Sequence, residues 1–69
     1  LNSSYYDFVN SYRIEEFNRL LEKGEHTQYT LQALIEKCGF SSRTSFFRYF
    51  KKVNGMSPGE YIRKFDERK

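Results

Sequence analysis

Hydrophobic residues recur along this chain in steps of three and four, and no run of strand length alternates apolar with polar. The first such segment runs from Ser4 to about Lys23. Ser4 is an N-cap residue type, Asp7 follows three positions on as a partial capping box, and Gly24 supplies a stop. The apolar residues of this segment divide into two sets. Ile14, Phe17, Leu20 and Leu21 fall on one side of a 3.6-residue helix, and Tyr5, Phe8, Val9 and Tyr12 on the other. The rest of so short a chain can cover one of these stripes readily and can hardly cover both.

Three shorter helices follow. Thr30 caps the second, which runs to Cys38 with Leu31, Leu34, Ile35 and Cys38 in one arc and Gly39 as a left-handed stop. The third starts at Ser41 or Ser42 and ends near Asn54, ahead of Gly55. Phe46, Tyr49, Phe50 and Val53 form its narrow apolar stripe. A separate face of the same helix carries Arg43, Thr44, Phe47, Arg48 and Lys51, with Ser45 and Lys52 on its border. The fourth has the clearest start: Ser57 at N-cap, Pro58 at N1 and Glu60 at N3, followed by Tyr61, Ile62 and Phe65 on its apolar side. The expected fold class is all-α.

At 69 residues there is room for one domain with a thin core, and the lone cysteine, Cys38, excludes an internal disulfide. A single unpaired cysteine, no apolar run of membrane-spanning length and no signal peptide fit a cytoplasmic setting. The start at Leu1 and the uncovered stripe of the first helix suggest a fragment of a longer protein. Charge sharpens this picture through its placement. The net charge is only +3, but residues 41–55 contain Arg43, Arg48, Lys51 and Lys52 and no acid, whereas residues 1–25 carry a surplus of acid. A basic excess gathered in one short segment is the footprint of a phosphate-binding surface.

The second helix, the turn at Gly39 and the third helix make a helix-turn-helix pattern. A helix with one apolar face and one basic, hydroxyl-bearing face can be held by a core while it enters the major groove of duplex DNA. Ser42, Arg43 and Thr44 at its start would then meet base edges. Arg43 is suited to bidentate contact with guanine, and Thr44 to a hydrogen bond or a thymine methyl. Phe47 either touches a thymine methyl or folds back over the second helix. Arg48, Lys51 and the bordering Lys52 would meet phosphates. So would Thr30, through its hydroxyl and the N–H groups at the start of its helix.

Gly39-Phe40-Ser41, Phe46, Arg48, Phe50-Lys51-Lys52, Gly55, Ser57-Pro58 and Tyr61 resemble the second helix-turn-helix of the AraC/XylS-type transcriptional regulators. Arg13-Ile14 with Leu20-Leu21 resembles the long helix that links the two helix-turn-helix units of that family. The resemblance spans Ser4 to about Lys64. It implies a small four-helix, homeodomain-like helix-turn-helix domain with a long first helix, the C-terminal part of a longer regulator that binds promoter DNA in a sequence-specific way. By resemblance Arg43, Thr44 and Phe47 occupy base-reading positions, Arg48 a backbone-contact position, and RNA polymerase is a further partner. The first helix-turn-helix of the family is missing here, and Tyr5, Phe8, Val9 and Tyr12 are the residues it would cover. Left uncovered, they would favour self-association. The sequence departs from the family pattern at Phe17 and Ile35, where alanine is usual, and at Cys38, where valine is common. The two larger residues bear on helix spacing, not on the fold.

No other residue pattern points to chemistry. His26 stands in a polar loop without companions at metal-ligand spacing, Cys38 reads as a small apolar filler, and Glu15-Glu16 as a solvated helix face. No nucleophile–base pair and no phosphate-cradling glycine loop occurs, so neither an enzyme nor a bound metal or cofactor is expected. The competing reading is a helical protein-interaction module whose basic face meets an acidic partner. Duplex DNA separates the two, because a groove reader prefers particular sequences and a general basic face does not.

Overall fold

The computed structural model describes residues 5–68. Four α-helices follow one another: α1 (Tyr5–Glu22), α2 (Leu31–Lys37), α3 (Arg43–Asn54) and α4 (Pro58–Glu67), with a short 3₁₀ turn, Glu25–Thr27, between the first two. No strand occurs among the described residues, and the all-α expectation holds. Ser4, expected to cap α1, lies outside the described residues.

Local chemistry sets the helix starts. The side-chain oxygens of Thr30, Ser42 and Ser57 each accept a hydrogen bond from a backbone N–H three residues on, at Ala33, Ser45 and Glu60. Each thereby satisfies one of the orphan donors of a helix N-terminus. The start of α3 is thus resolved to Ser42 as cap and Arg43 as first helical residue. The end of α2 is a Schellman turn. Gly39 N–H donates to the Glu36 carbonyl at 3.1 Å and Phe40 N–H to the Ile35 carbonyl at 3.3 Å, with Gly39 at φ +97°. Ile35 and Phe40 are both buried in the core, the two positions whose apolar character accompanies this motif.

The core is built on aromatic rings. Phe17 of α1 is fully buried, with its ring centroid 5.1 Å from Phe46 and 5.5 Å from Phe50 of α3. Phe40 closes on Phe46 at 5.1 Å, and Tyr61 of α4 on Phe50 at 5.1 Å. Ile14, Leu20 and Leu21 of α1 and Leu34, Ile35 and Cys38 around α2 complete the cluster. The Ile14–Leu21 stripe is therefore the buried one, as its spacing predicts. Leu31, Tyr49, Ile62 and Phe65 pack against the cluster from its edge.

Three positions depart from the sequence-based expectations. Val53 falls on the apolar stripe of α3 by angle, yet it is 51% exposed; a position on the stripe does not by itself supply a neighbour to cover it. Val9 was expected on an uncovered face and is half-buried. Tyr49 accounts for this: its hydroxyl donates to the Asp7 carbonyl at 3.3 Å and lies 3.1 Å from Ser11 Oγ, which brings α3 against the stretch of α1 that holds Val9. His26 is not a loose loop residue. Its ring packs edge-on against Phe65, 5.7 Å between centroids, and its Nε2 lies 2.8 Å from Asp66 Oδ1 on α4.

Candidate nucleic-acid interface

One face of α3 is fixed by the core and the other is free. Phe46 and Phe50 are fully buried, and they leave Arg43, Thr44, Arg48, Lys51 and Lys52 exposed on the opposite side. Together with Phe47 these residues line an open groove of about 620 Å³. Among the described residues no ion pair engages any of the four cations. A row of unneutralised positive charge on a rigid helix is free to meet an anionic surface without first breaking an internal pair. Lys52 also borders a second cleft, shared with Tyr6, Asp7, Ser45, Arg48 and Tyr49, in keeping with its place at the edge of the basic face.

Arg43 and Phe47 form a stacked pair one turn apart. The guanidinium carbon lies 4.9 Å from the Phe47 ring centroid. Phe47 is half-buried, rests on the core and meets Phe46 at 5.9 Å. The ring thus does part of each task that the sequence left open: it packs inward and also contributes an apolar floor to the groove. Ser42 and Thr30 are exposed, and each already uses its hydroxyl oxygen to cap its own helix, at 3.1 Å in both cases. Each keeps its hydroxyl proton for an outside acceptor.

Sequence reasoning missed the surroundings of Arg43. Nη1 of Arg43 donates to Gln32 Oε1 at 3.1 Å, and Gln32 Nε2 donates to Glu36 Oε2 at 3.2 Å. The i,i+4 spacing of Gln32 and Glu36 on α2 was visible, but the reach of Arg43 across the turn was not. A second missed element is Arg13 of α1. Its guanidinium lies 5.5 Å from the Phe40 ring centroid and donates to Asn10 Oδ1 at 3.3 Å, and its side chain runs beside Gly39. Arg13 therefore braces the turn between α2 and α3 from behind. Asn10, only 1% exposed, is a buried polar residue inside the half of α1 that had been read as uncovered.

A family model for a helix-turn-helix domain, of the AraC type, matches residues 1–64. The chain belongs to the AraC-type helix-turn-helix family. No curated protein and no solved structure matches it significantly. As an AraC-type domain it binds DNA through its helix-turn-helix, in the service of transcription regulation. This family is a DNA-binding rather than an enzymatic one. The AraC-type core accepts the larger side chains noted in the sequence, since Phe17 and Ile35 are both fully buried. Cys38 is buried as well; its Sγ donates to the Leu34 carbonyl at 2.9 Å, and burial pushes the thiol up to about 11. That environment makes it an inert packing residue at neutral pH. No helix among the described residues is long and apolar enough to cross a membrane.

Proposed function

We propose that this AraC-type domain reads a specific duplex sequence by laying α3 in the major groove, as one unit of a longer regulator. The reading rests on one observation above all. The outer face of α3 presents Arg43, Thr44, Phe47, Arg48, Lys51 and Lys52 to solvent as a single groove lining, while its inner face is locked by Phe46 and Phe50. In this reading Arg43 and Thr44 at the helix start contact base edges, and the ring of Phe47 offers a surface for a thymine methyl. Arg48, Lys51 and Lys52 contact phosphates, and Thr30 donates its hydroxyl to another. Ser42 serves chiefly as the cap that aims these side chains, with its hydroxyl proton left for a base or a phosphate.

The second partner is another helix-turn-helix unit seated on the first half of α1. Tyr5, Phe8 and Tyr12 are 82%, 68% and 64% exposed. Large aromatic residues grouped on one helix mark a surface meant for burial. Val9 forms the inner edge of that surface.

Selection from a randomised duplex library at low salt, followed by binding measured against salt concentration, tests the reading. A recurrent short motif, together with a negative slope of log affinity on log salt, is the expected result. Equal affinity for all duplexes and for unrelated polyanions would replace it with a general basic face for an acidic partner.

A further inference from the structure

The side chain best placed to read a base is held before any DNA arrives. Arg43 is restrained in two directions. Its guanidinium carbon lies over the Phe47 ring, 4.9 Å from the centroid, and Gln32 takes one of its N–H groups, Nη1 to Oε1 at 3.1 Å. Gln32 is in turn fixed by Glu36, Nε2 to Oε2 at 3.2 Å. The chemistry allows one orientation of this amide. A guanidinium has only donors and a carboxylate only acceptors, so the amide oxygen must face Arg43 and the amide nitrogen must face Glu36. A flip of Gln32 would lose both bonds at once.

We infer that Gln32, oriented by Glu36, is a positioning residue that pre-orders Arg43 for base reading. The inference rests on the reading of α3 as the base-contacting helix. A guanidinium offers five N–H donors, and guanine takes two of them. One bond to Gln32 therefore leaves enough for recognition. Ordering a free arginine at an interface costs rotamer entropy, and part of that cost is met in advance when the side chain is already held. Specificity gains in the same way, because a planar group fixed in direction fits one base and misfits its neighbours. Gln32 is uncharged, so it adds nothing to the salt dependence of binding.

The experiment uses the full chain and three variants. Gln32→Leu removes both amide bonds and leaves an apolar side chain one atom shorter. Glu36→Leu and Glu36→Gln remove the same charge, but only Glu36→Gln retains an oxygen for Gln32 Nε2. Their comparison isolates the bond from the loss of a negative charge near DNA. In the free protein, nuclear magnetic resonance of the arginine side chains should show slow rotation of the Arg43 guanidinium in wild type and in Glu36→Gln, and fast rotation in Gln32→Leu and Glu36→Leu. Arg48, for which no such side-chain bond occurs among the described residues, serves as the internal reference. In library selection, Gln32→Leu should lower the preference at the base pair governed by Arg43 by roughly threefold to tenfold. Its salt slope and melting temperature should match those of wild type. An Arg43 that rotates as fast as Arg48 in wild type overturns the inference. So does a wild-type base preference that Gln32→Leu leaves unmoved. A wild-type chain with no base preference at all overturns the base-reading role of α3, and this inference with it.

Discussion

The four cations of α3 share one face and differ in what surrounds them, so their substitutions should separate. Arg43 has a ring beneath it and an amide at its edge, whereas Arg48 and Lys51 reach outward from the groove lining. Arg43→Ala should cost about 1–3 kcal/mol on the preferred duplex and relax the choice at one base pair. Arg48→Ala and Lys51→Ala should weaken all duplexes alike and each reduce the salt slope by about one. Titration of these variants against the selected duplex and a scrambled one distinguishes the two behaviours. Cys38 gives a prediction of another kind. Its thiol stands near 11 when folded, against an ordinary value of 9.0, chiefly because burial disfavours the thiolate. Iodoacetamide at pH 8 should therefore react about a hundredfold more slowly with the folded chain than with the unfolded one. The sign for stability follows: the raised value contributes stability that is fully present below pH 9.0 and is lost as pH rises towards 11. Cys38→Ala should remove that part of the alkaline decline in a series of chemical melts. At this scale the sequence was legible wherever a residue's exposure depends on its place on its own helix, as for the exposed Arg43 or the buried Phe50. It was silent on Asn10 and Gln32 and set His26 in a bare polar loop, because their partners lie across the fold or their burial depends on packing between helices.

Helix starts and stops were legible because they are local. A cap hydroxyl at Thr30, Ser42 or Ser57 needs only the amide three residues on, and that spacing is written in the chain. The turn at Gly39 was legible for the same reason, since both of its closing hydrogen bonds stay within six residues. Less visible was how far each stripe stays covered. Val53 has the angle of a core residue and is exposed, because burial depends on what packs over a position as well as on its angle. Two glycines test the local account. Gly39 holds φ +97°, and a Cβ there would come no nearer than 3.5 Å to Arg13, an ordinary contact. Gly39→Ala should therefore lose about 1–2 kcal/mol through backbone strain alone, measured by thermal or chemical denaturation. Gly59 lies in the first turn of α4 with ordinary φ and open space around it. Gly59→Ala should gain about 0.4–1 kcal/mol by restricting the unfolded chain. An unchanged stability in Gly39→Ala would mean that the positive φ carries no strain there.

The molecule as a whole is elongated, with extents of 36 × 21 × 19 Å, and α1 is the reason. Its second half is packed into the core, and its first half touches the rest through Tyr49 and, nearer the middle, through Arg13. Long-range side-chain bonds tie the remainder together: His26 to Asp66 at 2.8 Å, and Tyr61 Oη to Asn18 Oδ1 at 2.8 Å. In so small a core, Leu34→Ala or Phe50→Ala should remove roughly 2–5 kcal/mol and unfold most of the population, visible as lost helical dichroism at room temperature. The exposed aromatics call for a different measurement. Sedimentation of the chain should show reversible self-association, and replacing Tyr5, Phe8 and Tyr12 together by serine should restore a monomer without lowering the melting temperature. A wild-type chain that stays monomeric at high concentration would mean that this face is content in water. The family resemblance foretold an uncovered face, and the depth of the Tyr49 contact could not be read from periodicity, because it depends on how two helices cross. The unbroken run of α1 from Tyr5 to Glu22 has one more consequence. A continuous helix is a shaft: it neither stretches nor slips, so whatever seats on its free end is phased to α3 in both distance and rotation. One alanine inserted after Tyr12 would advance that end by about 1.5 Å and turn it by about 100°. The aromatic face would then point a quarter-turn away from its former heading, while the domain below it kept its fold.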